Sequence, residues 1–535
     1  MPPQENRLMK VRNHLGDSVF LAVNFHAIER LFESFLIDLT VISLEKNISP
    51  IDILQKPISI ELNAKNGRKR FFHGIVKSFE AGGQNGNFFN YRVEMVPQLW
   101  FLKSTKLYRI FEDMTVVDII RQVLHEAQII DFTFKLYENR KPREYCCQYG
   151  ESTYAFIHRL MEEEGIFYFY GHHKTEHKII FTDHTHYLEY VSAEELVLSR
   201  HKTIFRSKNF IFSDYQPCYS KEILCSRNTD EWVDVIHRYP GKMISETEGE
   251  VKIKLHKMAE EADETYFQGS SENIFFSPGL QFQHHGKNYY LKEVKYDVCD
   301  GSYYSHGSQQ RRVQFSCVPA EKYFKPCVKT SCPKALGIET AIVMGESGGA
   351  YVNKKGQVKV QFHWGKYNEK MKSNSCWLRV AQPWAGKQFG MQFLPRAGDE
   401  VIVQFIHGDP DRPIITACLS NPAEKPLFDS GGMSCRNGIK TRTISQEEGV
   451  LGNELSFEDQ AGKEEIFLYA KKDFKRVIYS NEHCEIKNGN FEVLASKGKI
   501  NLESQEQTRI KVGNHSVEIN EEGLVLKGKK IIVRA

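Results

Sequence analysis

Near the end of the chain an aliphatic residue returns at every eighth position: Ile478, Ile486, Leu494, Leu502 and Ile510. The row continues through Ile519, Leu526 and Val533, and turn-forming stretches such as "SNE", "KNGN" and "SKG" fall between its members. No helical period runs through the segment, so it reads as short strands and turns. A strand of about five residues offers only two inward side chains and cannot support itself; it must stack on others. A single-chain, three-sided β-helix spends roughly 18 residues or more on each coil, so an octad supplies about a third of one. That arithmetic points to three chains, each giving one strand per layer of a triangular prism, with the aliphatic row inside. Roughly 100 residues at eight per strand make about twelve layers, a needle about 60 Å long. A meander of hairpins within one monomer is the competing reading, but hairpin strands vary in length and need no fixed octad.

The rest of the chain reads as mainly β with some α, an α+β chain in three parts. Residues 1–335 are dominated by strands such as "FLAVNFHA" and by a hairpin around a Gly-Asn turn in "KRFFHGIVKSFEAGGQNGNFFNYRVEMVPQL". Helices are expected over "MTVVDIIRQVLHEA", over "ESTYAFIHRLMEEEG" with Ser152 as N-cap and Gly165 as stop, and over "LHKMAEEADE". "EKYFKPCVKTSCPKAL" has no periodicity and two prolines, and reads as a linker. Five short strands then crowd into residues 336–420: "TAIVMGE", "QVKVQFHW", "CWLRVAQ", "EVIVQFI" and "PIITACL". Their spacing suits a small closed barrel of the OB type. A second linker, 421–436, leads to the octad segment at 437–535.

Composition removes several function classes. A net charge of +3 gives no chain-wide field for nucleic acid or an acidic membrane. No apolar run approaches the roughly 18 residues needed to span a bilayer. The opening "MPPQENRLMKVRNHLGDS" has no apolar core and no cleavage pattern, so no secretory signal is expected, and export must take a route that needs none. Twelve cysteines are scattered without any C-x-x-C, and Cys317, Cys327 and Cys332 match no standard zinc spacing. They read as reduced structural thiols of a cytosolic fold, with a disulfide or zinc as lesser alternatives.

Candidate chemistry is sparse. "HGDPDRP" gathers His407, Asp409, Asp411 and Arg412, but Asp-Pro beside Gly is turn material, and no G-x-S-x-G elbow supplies a nucleophile. His172, His173, His177, His184 and His186 straddle a hairpin rich in lysine and aromatics; a surface hairpin is expected, with metal as the alternative. Glu162, Glu163 and Glu164 end a helix and read as a solvated face. Phe362, Trp364, Trp377 and Trp384 would supply stacking rings for single-stranded nucleic acid, yet Lys and Arg only slightly outnumber Asp and Glu across the barrel. No catalytic residue, metal, cofactor or specific nucleic acid is expected.

"YGESTYAFIHRLMEEEGIFYFY", "YVNKKGQVKVQFHW", "SCWLRVAQPWAGKQFGMQFLPRAGDEVIVQFIHGDPDRPIITACLSN" and "NELSFEDQAGKEEIFLYAKKDF" closely resemble the VgrG family, the trimeric spikes of type VI secretion systems. The resemblance implies a phage tail-hub-like base of two barrel-like subdomains with inserted helices, an OB domain and an intertwined triple-stranded β-helix, as a homotrimer. It implies docking of the base on a tube of Hcp hexamers within a baseplate, a PAAR-repeat tip and effectors at the needle end, and transient contact with a target membrane. Assembly in the cytoplasm and export by sheath contraction would follow. Ile531, Ile532, Val533 and Ala535 would then form the tip-binding apex. A non-enzymatic device is expected; a phage or tailocin spike, or a spike with cell-wall hydrolase activity, are the alternatives. A hydrolase domain would have to fit between barrel and needle, where only the short linker lies, or follow the closing "GKKIIVRA".

Overall fold

The computed structural model describes residues 7–533 except 186–187, 194–195, 216–222, 231, 304–308, 347, 366–374, 423–425, 429–434 and 445–450. Alternating strands build the largest unit, a 12-stranded sheet running from Met9–Arg12 at one edge to Leu196–Thr203 at the other. Strand Leu21–Arg30 shows the cause. Phe25, Ala27 and Glu29 point into the interior while Asn24 and His26 face out, as a period of two demands. The predicted hairpin is present as Lys69–Asn85 paired antiparallel with Phe88–Val96.

The described residues form three α-helices: two pack on each other and on the paired strands Lys106–Met114 and Arg143–Ser152, and the third packs mainly on Asn209–Tyr215 and Ile223–Arg227. Helix α1, Val116–Glu126, is capped by the Thr115 hydroxyl, which accepts from Asp118 N at 3.2 Å, and it buries Val116, Ile119, Ile120, Val123 and Leu124. Helix α2, Thr153–Glu164, begins where Ser152 accepts from Ala155 N at 3.1 Å. It stops at Gly165, whose φ is +66° and where a Cβ would lie 2.9 Å from Leu255 Cδ2, so only glycine fits. Helix α3, Glu246–Glu264, starts at Glu246 rather than at Leu255. Its first half buries only Gly249 and Ile253, too few apolar residues to betray a helical stripe.

The five predicted barrel strands are Glu339–Val343, Val358–Phe362, Ser375–Val380, Glu400–Phe405 and Pro413–Leu419, and they close into one barrel. Counted within the barrel, the order is 1-2-3-5-4 returning to 1, with a single parallel pair between the third and fifth strands. Val343, Val358, Val360, Phe362, Cys376, Leu378, Val401, Val403 and Ile415 fill it. Ile110 and Cys147 of the preceding region belong to the same apolar cluster, so base and barrel share it.

Residues 321–336 are not a loose linker. Phe324 and Lys325 are buried, and Lys325 Nζ donates to Asp183 O at 2.6 Å. Glu162 accepts from Lys329 N at 3.0 Å, Thr330 N at 2.8 Å and the Thr330 hydroxyl at 2.8 Å. Ala335 N then donates to Gly408 O in the barrel at 2.9 Å. The segment is a packed strap whose backbone bonds go to partners far away in sequence, which is why it carries no period.

Beyond the barrel, Arg436–Arg442, Leu451–Glu458 and Glu465–Tyr469 form a three-stranded antiparallel sheet. A second such sheet comprises Gln507–Val512, His515–Asn520 and Gly523–Lys527. No strand forms from Ala470 to Glu506. Parts of the expected linker 421–436 lie outside the described residues.

Candidate assembly surface

Every member of the aliphatic row is exposed in the single chain, from 44 % at Ile478 to 89 % at Val533. Ile478, Ile486, Leu494 and Leu502 lie in the stretch without strands, where the backbone has no ladder of its own. Ile510, Ile519 and Leu526 sit on the last antiparallel sheet, where the chain does pair with itself as hairpins. Covering one large aliphatic side chain is worth ~1.5–3 kcal/mol, so eight in a row are a large unsatisfied driving force. An exposed apolar strip of this length marks an interface. Ile531 and Ile532 are also exposed, and Ala535 lies outside the described residues.

The "HGDPDRP" residues do form a turn: Asp409 N donates to Ile406 O, Arg412 N to Asp409 O, and Asp411 N to Asp409 Oδ1 at 3.1 Å. Their side chains do more, which turn composition does not reveal. Asp411 Oδ1 accepts from Cys147 N at 2.7 Å, and Arg412 grips both oxygens of the fully buried Asp214. Lys242 Nζ lies 3.2 Å from Asp409 and 3.4 Å from Asp411. Burial pushes the Lys242 ammonium toward neutrality, but Glu163, Asp411 and Asp409 outweigh it and raise its pKa. The turn is an electrostatic rivet between barrel and base. His407 faces the Tyr239 ring at 5.2 Å.

Two surface expectations need correction. Glu162 is buried under the strap, and Glu163 and Glu164 pair with Arg143 at 2.7 and 2.8 Å; the expected solvated face is an ion-pair seam. The histidine hairpin is at the surface only at its tip: residues 173–176 are exposed, His173 among them, whereas the side chains of His172 and His177 are buried. His172 Nδ1 accepts from His73 N at 3.2 Å, which leaves Nε2 to donate to Glu29 Oε1 at 2.8 Å. His177 Nε2 accepts from Gln98 N at 3.2 Å, so its Nδ1 donates to His73 Nδ1 at 2.9 Å. Backbone amides thus set which nitrogen of each ring accepts. Among the described residues no group of three His, Cys, Asp or Glu is placed to hold a metal, and His186 lies outside them.

The barrel rings do not form one stacking platform. Phe362 fills the core, and Trp364 stacks on it at 4.9 Å. Lys359 Nζ lies 5.6 Å from the Trp377 ring, and Trp384 stands apart on a loop.

Comparison with known proteins now bears on these surfaces. Residues 28–213 match the phage tail baseplate hub (GPD) family, and 350–419 match the type VI secretion system/phage-baseplate injector OB domain. Residues 437–530 match the bacteriophage T4 gp5 C-terminal trimerisation domain. The type VI secretion system spike protein VgrG1b of Pseudomonas aeruginosa is 30 % identical over 517 residues, which cover 91 % of this chain and 69 % of that protein. The chain belongs to the VgrG family of spike proteins. VgrG1a of the same organism is 28 % identical over 525 residues, covering 90 % of this chain and 80 % of the relative. The actin cross-linking toxin VgrG1 of Vibrio cholerae is 28 % identical, with 95 % of this chain matching only 50 % of that protein. Among solved structures, the E. coli c3393 protein, described as a type VI secretion component similar to T4 tail proteins gp27 and gp5, superposes with a TM-score of 0.59. It is 19 % identical and covers 77 % of this chain and 100 % of that one, so it shows a shared fold. The match to the gp5 trimerisation domain contains all of the aliphatic row except Val533.

Proposed function

We propose that this VgrG-family chain acts as a homotrimeric, non-enzymatic spike at the tip of a type VI secretion apparatus. The observation that carries the reading is the octad row, fully displayed by one chain within the segment that matches a trimerisation domain. In the trimer, residues 437–535 intertwine into a triple-stranded β-helix, 336–420 form an OB collar, and 1–335 form the tail-hub-like base. The strandless stretch from Ala470 to Glu506 gains its ladder from neighbouring copies, and the row becomes the axis of the prism. The hairpins now seen from Gln507 to Lys527 open to join it.

Such a needle works by stiffness. Its wide base sits on the Hcp tube among baseplate components, and its apex at Ile531, Ile532, Val533 and Ala535 receives a PAAR-type tip and effectors. Contraction then drives it from the cytoplasm through a target membrane. Light scattering on the purified chain tests the assembly: the expected mass is three times 61.9 kDa, and a monomer overturns the reading.

A further inference from the structure

Between Ser375–Val380 and Glu400–Phe405 the chain leaves the barrel and returns through "AQPWAGKQFGMQFLPRAGD". The centre of this excursion is a tight hairpin: Gly386 N donates to Phe389 O, and Met391 N to Trp384 O, both at 2.9 Å. Gln382 ties the limbs below it, accepting from Phe393 N at 2.8 Å and donating to Phe393 O at 3.2 Å. Glycine is required at Gly390, and at Gly386 it leaves room for the Phe389 ring. A Cβ on Gly386 would lie 2.4 Å from the Phe389 ring, and Gly390 has φ +133° with a Cβ position 2.4 Å from Trp384 O. Four hydrogen bonds hold the hairpin's shape. That shape buries none of its own large apolar groups: Trp384 is 58 % exposed, Phe389 60 %, Met391 42 % and Phe393 48 %. Trp384 and Phe389 meet edge to face at 5.6 Å and form one knob.

An ordered hairpin that presents aromatics to solvent has the composition of an interface anchor. Two observations choose its occupant. At the end of the excursion, Arg396 donates to Arg442 O, on the first strand of the segment that matches the trimerisation domain. The foot of the excursion thus adjoins the start of the exposed tail. Between Ala381 and Pro395 the only charge is Lys387, so copies brought together around an axis meet few like charges here.

We propose that Trp384–Phe393 is a collar contact between copies of this chain, the Trp384–Phe389 knob of one seating against the barrel region of the next. The inference rests on the trimer reading and adds residues that lie outside the matched trimerisation segment. It is tested on the full chain by placing the photoreactive residue benzoylphenylalanine at Phe389 and irradiating after a mass measurement. The expected result is a three-chain mass and a light-dependent inter-chain adduct that maps to residues 339–442 of another copy. A trimer without that adduct, or with adducts only elsewhere, leaves the knob open to a different protein and overturns the collar while sparing the trimer. A single-chain mass overturns both. Acrylamide quenching, read as the difference between the unaltered chain and Trp384→Phe, gives a second measure that leaves Phe389 in place. Trp384 in the trimer should be several-fold less quenchable than free tryptophan, and free quenching there overturns the collar.

Discussion

Arg412 closes a fork on both carboxylate oxygens of Asp214, a residue 198 positions upstream and buried to 0 % side-chain exposure. The pair joins the barrel's last turn to a strand of the base. Asp214 also accepts from Met243 N at 3.2 Å, so its lone pairs are shared between backbone and guanidinium. Arg412→Ala leaves that carboxylate without its cation, and breaking a buried pair costs about 3–5 kcal/mol. We expect a lower urea midpoint and faster proteolysis between base and barrel. An unchanged midpoint would show that the fork contributes nothing to stability.

The strap makes a second prediction. Glu162 satisfies two backbone N–H groups and one hydroxyl of Lys329 and Thr330. Glu162→Ala removes all three bonds, and because Lys329 is exposed and Thr330 half-buried, water can replace part of each, so the loss is about 0.5–1.5 kcal/mol per bond. Hydrogen exchange read at Lys329 and Thr330 should speed up more than at the barrel strands. Equal protection in variant and parent would contradict the role assigned to Glu162.

Acid should weaken the fold before its carboxylates titrate. Burial lowers His73 to about 4. Burial near Lys103 lowers His158 to about 3, and burial near Arg238 and Lys252 lowers His256 to about 4. Unfolded histidines take up protons below about 6.5, whereas these folded ones decline them until near 4. The unfolded state therefore gains protons as pH falls from 6.5, and stability drops by about 1.4 kcal/mol per pH unit for each such histidine. Calorimetry between pH 7 and 5 should show a falling Tm. His158→Gln, which keeps a partner for the Tyr168 hydroxyl, should flatten that slope.

Leu494→Asp or Leu502→Asp would bring three carboxylates together on the needle axis, without partners. The expected outcome is loss of the trimer, with the mass in solution falling to one third. Base and barrel should stay folded, because their cores contain neither residue. A normal trimer from either variant would rule out an axial row.

Much of this architecture was legible in the residues. Helices α1 and α2 and all five barrel strands announce themselves by period, cap and glycine punctuation, because those signals are local. The octad marked the tail for the same reason. What stayed hidden depends on distant partners. Glu162 looked solvated because Lys329 and Thr330 lie more than 160 positions away. His172 and His177 looked like hairpin decoration because His73, Gln98 and Glu29, which hydrogen-bond to their rings, belong to other parts of the chain. Turn chemistry explained the backbone of "HGDPDRP" and concealed that its side chains reach Cys147, Asp214 and Lys242.

The apolar cluster that Ile110 and Cys147 share with the barrel has a mechanical consequence. With the strap on one side and the Arg412–Asp214 fork alongside, barrel and base have no free tether between them. Thrust applied to the base would reach the barrel through close-packed matter of low compliance, so little of a stroke would be spent in bending that joint.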